Sequence, residues 1–183
     1  MGIHGALDWT IRPATADDAE ALALVGAATF LEAFADVIEG KDIVAHCAKA
    51  HSPASYRDYL ADGAIAWLAE SRLGAPIGYA LNTRPDLPGM KPGDRELKRI
   101  YVLSRWHGSG LAAALMERSI AEAQTAGHPR LLLGVYRHNH RALAFYAKSG
   151  FEPVAERLFR VGQTDHQDLV LARPLADSTE SHP

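Results

Sequence analysis

The stretch from Arg99 to Leu115 joins a strand-like segment to a helical one through a turn that contains two glycines. The apolar run from Ile100 to Leu103 predicts the strand, and a helical pattern begins near Gly108. Such a turn directs several free backbone N–H groups to one point, and the helix dipole adds partial positive charge there. Glycines let a phosphate approach the backbone closely and permit the φ values of the turn. The stretch is therefore a candidate anion-binding site.

Two familiar phosphate-binding loops do not fit this turn. A Walker loop requires a lysine after its last glycine, and no lysine follows Gly110. A dinucleotide-binding loop requires a third glycine at the position of Ala113. The pattern that fits is Arg105-x-x-Gly108-x-Gly110, which resembles the pyrophosphate loop of the GNAT superfamily of acetyl-CoA-dependent N-acetyltransferases. An ordinary connection between a strand and a helix is the alternative interpretation of so short a pattern.

A second motif supports the resemblance. Residues 139–151 read NHRALAFYAKSGF and match the superfamily's N-x-x-A-x-x-F-Y-x-x-x-G-F signature at every named position. The resemblance covers about residues 9–175. Within the superfamily, the chain is most similar to the PaiA-type polyamine acetyltransferases. The segments that carry this similarity are Glu96-x-x-Arg99-Ile100-Tyr101-Val102, Leu133-Gly134-Val135, Phe159-x-x-Gly162, Asp168-Leu169 and Thr29-Phe30-x-x-x-Phe34.

The resemblance implies that acetyl-CoA is the co-substrate, and it implies where acetyl-CoA binds. The fourth strand of the fold splays away from the fifth, and the pantetheine arm pairs with main-chain groups in the gap. The pyrophosphate rests on amides of the glycine turn, and Asn139 contacts the arm near the thioester. A plain helix N-cap is the alternative role for Asn139. The cofactor-binding residues that the resemblance implies are Ile100, Tyr101, Val102, Leu103, Arg105, Trp106, His107, Gly108, Ser109, Gly110, Leu111, Asn139, Phe145 and Tyr146.

Tyr146 and Glu96 are the candidate catalytic residues. The thiolate that leaves a thioester needs a proton or a hydrogen bond, and Tyr146 occupies the superfamily position of the general acid. The attacking amine must lose a proton, and Glu96 lies where the resemblance suggests a base. Strand alternation predicts that Glu96 shares a face with Lys98 and Ile100. The alternatives are a tyrosine that belongs only to the core and a glutamate that pairs with a neighbouring cation of its strand.

Three carboxylates are predicted to lie beside the acceptor. Asp36, Glu39 and Asp42 fall between the first helix and the next, a region that caps the acceptor side of the cleft in the GNAT layout. They would attract a cationic amine, so a polyamine such as spermidine is the candidate acceptor. A solvated junction between two helices is the alternative interpretation.

The rest of the pattern supplies the elements that must position these residues. It predicts strands at 9–12, 64–70, 76–82, 96–103, 131–136, 152–161 and 166–173, with a first helix to about residue 35 and short helices at 41–50 and 53–61. Hairpins come early and strand–helix–strand crossovers come late, so the sheet must be mixed. The predicted class is α/β (α+β) with the GNAT fold. It has a mixed sheet of about seven strands and about four helices, in a single domain at 1–175 with a tail at 176–183.

Composition and charge argue against several other classes. The chain has 183 residues, is 22% charged and has a net charge of −3 without a basic block, so no nucleic-acid partner is expected. No segment is apolar enough to span a membrane, residues 1–8 lack a signal-peptide pattern, and the single Cys47 suits a reducing cytoplasm. No metal is expected, because His138 and His140 lack a third ligand. His46 and His51, five residues apart, would not share one helical face.

The predicted function is transfer of an acetyl group from acetyl-CoA to a primary amine by direct attack in a ternary complex. The acceptor is a small-molecule amine, and the enzyme is a monomer or a homodimer. Two alternatives stay open. One is acetylation of a protein N-terminus or lysine, and the other is a non-catalytic module that senses acetyl-CoA, against which the intact Asn139 and Tyr146 argue.

Overall fold

The computed structural model describes residues 8–162 and 164–175 of the chain. The strands are β1 (Trp9–Pro13), β2 (Ile65–Ser71), β3 (Pro76–Thr83), β4 (Arg95–Val102), β5 (Arg130–Tyr136), β6 (Glu152–Val161) and β7 (Thr164–Pro174). The helices are α1 (Ala19–Phe34), α2 (Gly40–Ala50), α3 (Pro53–Ala61), α4 (Leu111–Thr125) and α5 (His140–Lys148). The described part thus holds seven strands, as predicted, and five α-helices where about four were expected. The predicted tail at 176–183 lies outside the described residues.

All seven strands belong to one sheet with the order β1-β2-β3-β4-β5-β7-β6. Every neighbouring pair is antiparallel except β4 and β5, which run parallel, so the predicted mixed sheet is confirmed. The parallel ladder joins only Arg95 to Leu131 and Glu96 to Leu132. Beyond Glu96 the two strands separate, which leaves one edge of β4 without a partner strand in the middle of the sheet.

The helices cover both faces of the sheet. α4 packs on one face, where Leu111 and Leu115 are fully buried. α1 and α3 pack on the other face, where Leu22 and Tyr56 are fully buried. β5 is covered from both sides, as its continuous apolar run predicts. Among the described residues, no helix has both the length and the apolar character needed to cross a lipid bilayer.

An extra residue in β4 changes which helices its side chains face. The pairing of β3 with β4 shifts by one residue between Leu81 and Asn82, so Lys98 of β4 has no partner of its own. Such a bulge breaks the strict alternation of side chains between the two faces of a sheet. As a result, Arg99 and Tyr101 both face α1 and α3.

A buried chain of hydrogen bonds ties the sheet to the helices on this face. Nδ1 of His51 lies 2.9 Å from the hydroxyl oxygen of Tyr56, which lies 2.8 Å from the hydroxyl oxygen of Tyr79. All three side chains are buried. Gly26 of α1 packs directly against this chain, and a Cβ at that position would overlap the Tyr56 hydroxyl and the His51 ring. The close approach of α1 therefore requires glycine at this position.

Replacing Gly26 with alanine is expected to destabilise the protein, although alanine is the better helix former by about 1 kcal/mol. The new methyl group must displace the Tyr56 hydroxyl and the His51 ring, at a cost of roughly 1–3 kcal/mol. Urea denaturation measures the difference. Gly40→Ala in α2 is the matched control, because nothing lies within 4 Å of a Cβ there, and it should be neutral or stabilising. A Gly26→Ala protein as stable as the Gly40→Ala protein would contradict the close packing.

Candidate active site

A cavity of about 530 Å³ lies between α1, the end of β4 and α5. Its walls include residues of β4 that follow the point where β5 leaves that strand. The open edge of β4 therefore borders the cavity. Seven of the predicted site residues line this cavity: Ile100, Tyr101, Val102, His107, Asn139, Phe145 and Tyr146.

Only alternate residues of β4 present main-chain groups to the gap. Leu103 donates its N–H to the carbonyl oxygen of Ile77 at 2.9 Å, so this group faces β3. Because the main-chain groups of a strand alternate between its two edges, those of Tyr101 also face β3, whereas those of Ile100 and Val102 face the gap. Of the four residues predicted to pair with the pantetheine arm, Ile100 and Val102 thus present main-chain groups to the gap.

His107 and Arg141 surround the end of the gap at Val102. Nε2 of His107 lies 2.9 Å from the carbonyl oxygen of Val102, which can only accept, so this nitrogen carries the proton. Nδ1 of the same ring then accepts a hydrogen bond from Arg141 of α5. Both side chains line the cavity. This pair fixes the orientation of the imidazole and brings a guanidinium to the cavity wall.

The glycine turn has the backbone conformation that its sequence predicts. Gly108 and Gly110 have φ values of 82° and 85°, in the left-handed region that favours glycine. No atom lies within 4 Å of a Cβ added at either position. The amides of Trp106, His107 and Ser109 are bonded within the turn, so three of the predicted phosphate-binding amides are already used.

Four other amides remain for an anion at this turn. The N–H groups of Gly108, Gly110, Ala112 and Ala113 have no acceptor within the part of the chain that the structure describes. The last two lie in the first turn of α4, where the helix dipole adds positive charge, and the sequence did not single them out. Arg105 is exposed beside the turn. The residues present therefore fit a pyrophosphate group.

Seven of the residues predicted beside the cofactor do not line the cavity: Leu103, Arg105, Trp106, Gly108, Ser109, Gly110 and Leu111. The amide of Leu111 lies 3.4 Å from the hydroxyl oxygen of Ser109, and the Leu111 side chain is fully buried in the core. Trp106 packs against the same core, and the guanidinium carbon of Arg105 lies 5.6 Å from its ring centroid. Leu111 and Trp106 therefore shape the turn, and the free amides of Gly108, Gly110, Ala112 and Ala113 remain for an anion.

Tyr146 lies in the wall of the cavity that α5 contributes. Its ring centroid is 5.5 Å from that of Phe145 and 6.0 Å from that of Phe151. Burial, with a smaller contribution from Tyr101, raises the pKa of Tyr146 well above the usual tyrosine range. A phenol with a raised pKa stays protonated at neutral pH. Tyr146 therefore keeps a proton that it can donate into the cavity.

Asn139 is the N-cap of α5. Its side-chain oxygen accepts the backbone N–H of Ala142 at 3.1 Å, so the capping role is confirmed. Asn139 also lines the cavity. The cap and a contact with a bound cofactor are therefore compatible.

Glu96 lies apart from the cavity lining. Its carboxylate is almost completely buried, accepts the backbone N–H of Asp86 at 2.8 Å and pairs with Lys98 at 3.3 Å. The prediction that Glu96 shares a face with Ile100 is wrong, because the extra residue between them breaks the alternation of β4.

The three carboxylates predicted beside the acceptor do not line the cavity. Asp36 and Glu39 are exposed, and Glu39 forms an ion pair with Lys41 at 2.8 Å. The carboxylate of Asp42 lies against Gly162, between β6 and β7. This placement fits the solvated-junction interpretation better than a cluster at the cavity.

The wall that α1 contributes was not found from the sequence. Thr29, Glu32, Ala33 and Val37 line the cavity from one face of this part of the chain. Glu32 accepts hydrogen bonds from the backbone N–H and the hydroxyl of Ser104, both at 3.0 Å, which ties α1 to the start of the turn. The spacing of three and four residues is visible in the sequence. Because α1 is largely apolar, however, this spacing alone could not show which of its faces borders the cavity.

The histidines form no metal site in the described ranges. No group of three or more His, Cys, Asp or Glu side chains there could hold a metal ion. His46 and His51 do not share one helical face, yet their ring centroids lie only 5.7 Å apart. His51 ends α2 with φ of −115° and ψ of 28°, so the helical spacing rule does not apply to it.

Known proteins resemble this chain in sequence. Residues 29–151 match the model of the Acetyltransferase (GNAT) family. An uncharacterized N-acetyltransferase of Mycobacterium tuberculosis is 38% identical over 158 residues, which cover 86% of this chain and 98% of that protein. An uncharacterized N-acetyltransferase of Mycobacterium bovis gives the same values.

Solved structures share the fold. The PaiA N-acetyltransferase from Thermoplasma acidophilum, in complex with coenzyme A, has a TM-score of 0.74 and 17% identity over 92% of this chain and 99% of that chain. The Salmonella typhimurium protein yncA, a putative acetyltransferase solved with its cofactor acetyl-CoA, has a TM-score of 0.67 and 20% identity over 96% of this chain and 98% of that chain. With the family match and the mycobacterial relatives, these results show that the chain belongs to the GNAT family of N-acetyltransferases.

Proposed function

We propose that this N-acetyltransferase moves the acetyl group of acetyl-CoA to a primary amine by direct attack in a ternary complex. The observation that carries the proposal is the meeting of three features at one cavity. These are the open edge of β4, the free amides at the start of α4 and the ring of Tyr146. Both Ala112, whose amide is free, and Tyr146 line the cavity. The neighbours that hold coenzyme A or acetyl-CoA support the same co-substrate.

Acetyl-CoA would be held at three places. The free amides of the turn would bind the pyrophosphate, with Arg105 and Arg141 adding positive charge. The gap-facing groups of Ile100 would pair with the pantetheine amides, as a neighbouring strand would. The thioester would then lie beside Asn139 and Tyr146, which line the same cavity.

Acetyl transfer forms one bond, breaks another and moves two protons. The amine nitrogen attacks the thioester carbon, so that the C–N bond forms, the C–S bond breaks and the sulfur leaves with negative charge. Tyr146 is suited to donate a proton or a hydrogen bond to this sulfur, because its hydroxyl is protonated at neutral pH and its side chain lines the cavity. The acceptor ammonium must first lose a proton, and Glu96 is the proposed base, acting through water. The nitrogen loses a second proton after the attack, and this proton restores the hydroxyl of Tyr146.

The alternatives for the acceptor predict different activities. A polyamine acetyltransferase would act on spermidine, a protein acetyltransferase would act on peptides, and a sensor would bind acetyl-CoA without releasing CoA. The polyamine hypothesis rested on Asp36, Glu39 and Asp42, which do not line the cavity, and it stays a prediction. CoA release with a panel of polyamines, amino acids, aminoglycosides and peptides separates these alternatives.

Gly110→Glu is expected to abolish acetyl-CoA binding, because it places a carboxylate where the pyrophosphate must lie. Calorimetric titration should show affinity weaker by at least about a hundredfold, and CoA release should disappear with every amine of the panel. Gly127→Glu is the matched control, since Gly127 follows the same helix with φ of 77° and equally open surroundings. Unchanged affinity in a folded Gly110→Glu protein would show that acetyl-CoA does not bind at the turn.

Tyr146→Phe is expected to slow the chemical step by ~10²–10⁴-fold without weakening acetyl-CoA binding, since it removes only the proton donor. Single-turnover kinetics measure this step without interference from product release. Tyr136→Phe removes another hydroxyl from the cavity lining and should stay close to the parent rate. Because the pKa of Tyr146 is raised, the parent rate should not fall as the pH passes about 10. A Tyr146→Phe rate close to that of the parent would assign this tyrosine to the core.

Glu96→Gln should lower the same single-turnover rate by ~10²–10⁴-fold near neutral pH. The loss should shrink as the pH rises, because the amine then loses its proton without a base. Glu122→Gln is the control, since Glu122 also pairs with a β4 side chain, Arg95, at 3.3 Å. A loss that is the same at every pH and is accompanied by a lower Tm would mean that Glu96 is structural.

A further inference from the structure

Arg99 brings an unpaired positive charge to the face of β4 that packs against α1 and α3. Its guanidinium carbon lies 5.2 Å from the ring centroid of Tyr56 and 5.4 Å from that of Tyr59. Nη1 of Arg99 is buried and has no hydrogen-bond partner, although the residue as a whole is partly accessible. Within the described ranges, no carboxylate forms an ion pair with it.

Four other arginines of the sheet are paired with carboxylates. Arg12, Arg95, Arg130 and Arg157 each have a carboxylate oxygen within 3.3 Å. Burial of a guanidinium costs hydration, and a carboxylate partner offsets that cost. Arg99 has lost part of its hydration without gaining such a partner.

The groups around Arg99 carry no compensating charge. Burial, followed by the charge of Arg99, lowers the pKa of His46 and lowers that of His51 to about 3. Burial also raises the pKa values of Tyr56 and Tyr79. All four side chains are therefore neutral at physiological pH. The tyrosine rings offer cation–π contacts, which recover only part of the lost hydration.

Arg99 does not line the active-site cavity, but it lies next to Tyr101, which does. The two residues lie on one face of β4, about 7 Å apart along the strand. Tyr101 lines the cavity, and its ring centroid is 5.9 Å from that of Tyr79. Tyr79 in turn bonds to Tyr56, over whose ring the guanidinium lies. A row of aromatic side chains thus runs from the cavity to Arg99.

We propose that the acceptor amine also carries a carboxylate, which pairs with Arg99 while the amine lies in the cavity beside Tyr101. This inference rests on the acetyl transfer proposed above and names the class of its acceptor. A carboxylate matches a guanidinium with two parallel hydrogen bonds and would supply the partner that Nη1 lacks. A polyamine carries only positive charges, so Arg99 would repel it. The acceptor is an amino acid rather than a polyamine.

Matched acceptors test this inference. The α-amino acids and a series of ω-amino acids of increasing length are each compared with their own carboxamides, and kcat/KM for CoA release is measured. The parent enzyme should prefer the best carboxylate to its carboxamide by more than about tenfold, which corresponds to about 1.4 kcal/mol. Arg99→Met should bring the ratio close to one. A parent ratio near one, or a ratio that Arg99→Met leaves unchanged, would overturn the inference.

Stability separates a binding role of Arg99 from a structural one. Removal of a buried charge without a partner should leave the Tm unchanged or raise it in Arg99→Met. Arg95→Met on the same strand breaks the pair with Glu122, so it should lower the Tm and leave the carboxylate preference intact. A fall in Tm for Arg99→Met as large as that for Arg95→Met would assign Arg99 a structural role and overturn the inference.

Binding measurements keep this test independent of the acetyl-transfer proposal. With CoA present, the amino acids should raise the Tm of the parent more than their carboxamides do, and Arg99→Met should lose the difference. If this result appears without CoA release from any amine, the carboxylate site stands and acetyl transfer fails. If CoA is released with no preference for carboxylates, acetyl transfer stands and the carboxylate site fails. Equal or absent Tm shifts for both members of every pair also overturn the carboxylate site.

Discussion

A strand edge left open in the middle of a sheet is the constraint on which this site depends. Buried main-chain N–H and C=O groups need hydrogen-bond partners, and β5 supplies them to β4 only at Arg95 and Glu96. His107 donates a hydrogen bond to the carbonyl oxygen of Val102. The groups that remain suit a ligand that carries amides of its own, as the pantetheine arm of acetyl-CoA does. The separation of two strands therefore accounts for a cavity at the centre of the sheet rather than at its rim.

The bulge at Lys98 decides which side chains of β4 face each side of the sheet. Before the bulge, Leu97 packs in the core under α4. After it, Arg99 and Tyr101 face the opposite helices, while Ile100 still packs against the α4 core. The extra residue moves the following side chains to the opposite face, while β4 stays paired with β3 on either side of the bulge. Without the bulge, Arg99 and Tyr101 would share the face of Leu97 under α4.

The distribution of charge around the cavity is consistent with two anionic substrates in the proposed complex. The free amides of the glycine turn, with Arg105 and Arg141, provide positive potential for phosphate groups. On the other side of β4, Arg99 provides a second positive centre among neutral histidines and tyrosines. The carboxylate in the cavity wall, Glu32, is already bound to Ser104. In the proposed complex, main-chain amides would bind the phosphate groups of one substrate, and the guanidinium of Arg99 would bind the carboxylate of the other.

The sequence by itself determined the family, the order of the strands and helices, the left-handed glycines of the turn and the cap at Asn139. These features depend on residues close together in the chain, so short patterns contain the information. The face of Glu96, the amides left free at the turn and the missing partner of Arg99 were decided only by the tertiary structure. The position of a bulge depends on how β3 pairs with β4, and an ion pair depends on residues distant in the chain. For that reason, strand alternation placed Glu96 on the face of Ile100, and the pairing of the two strands moved it to the other.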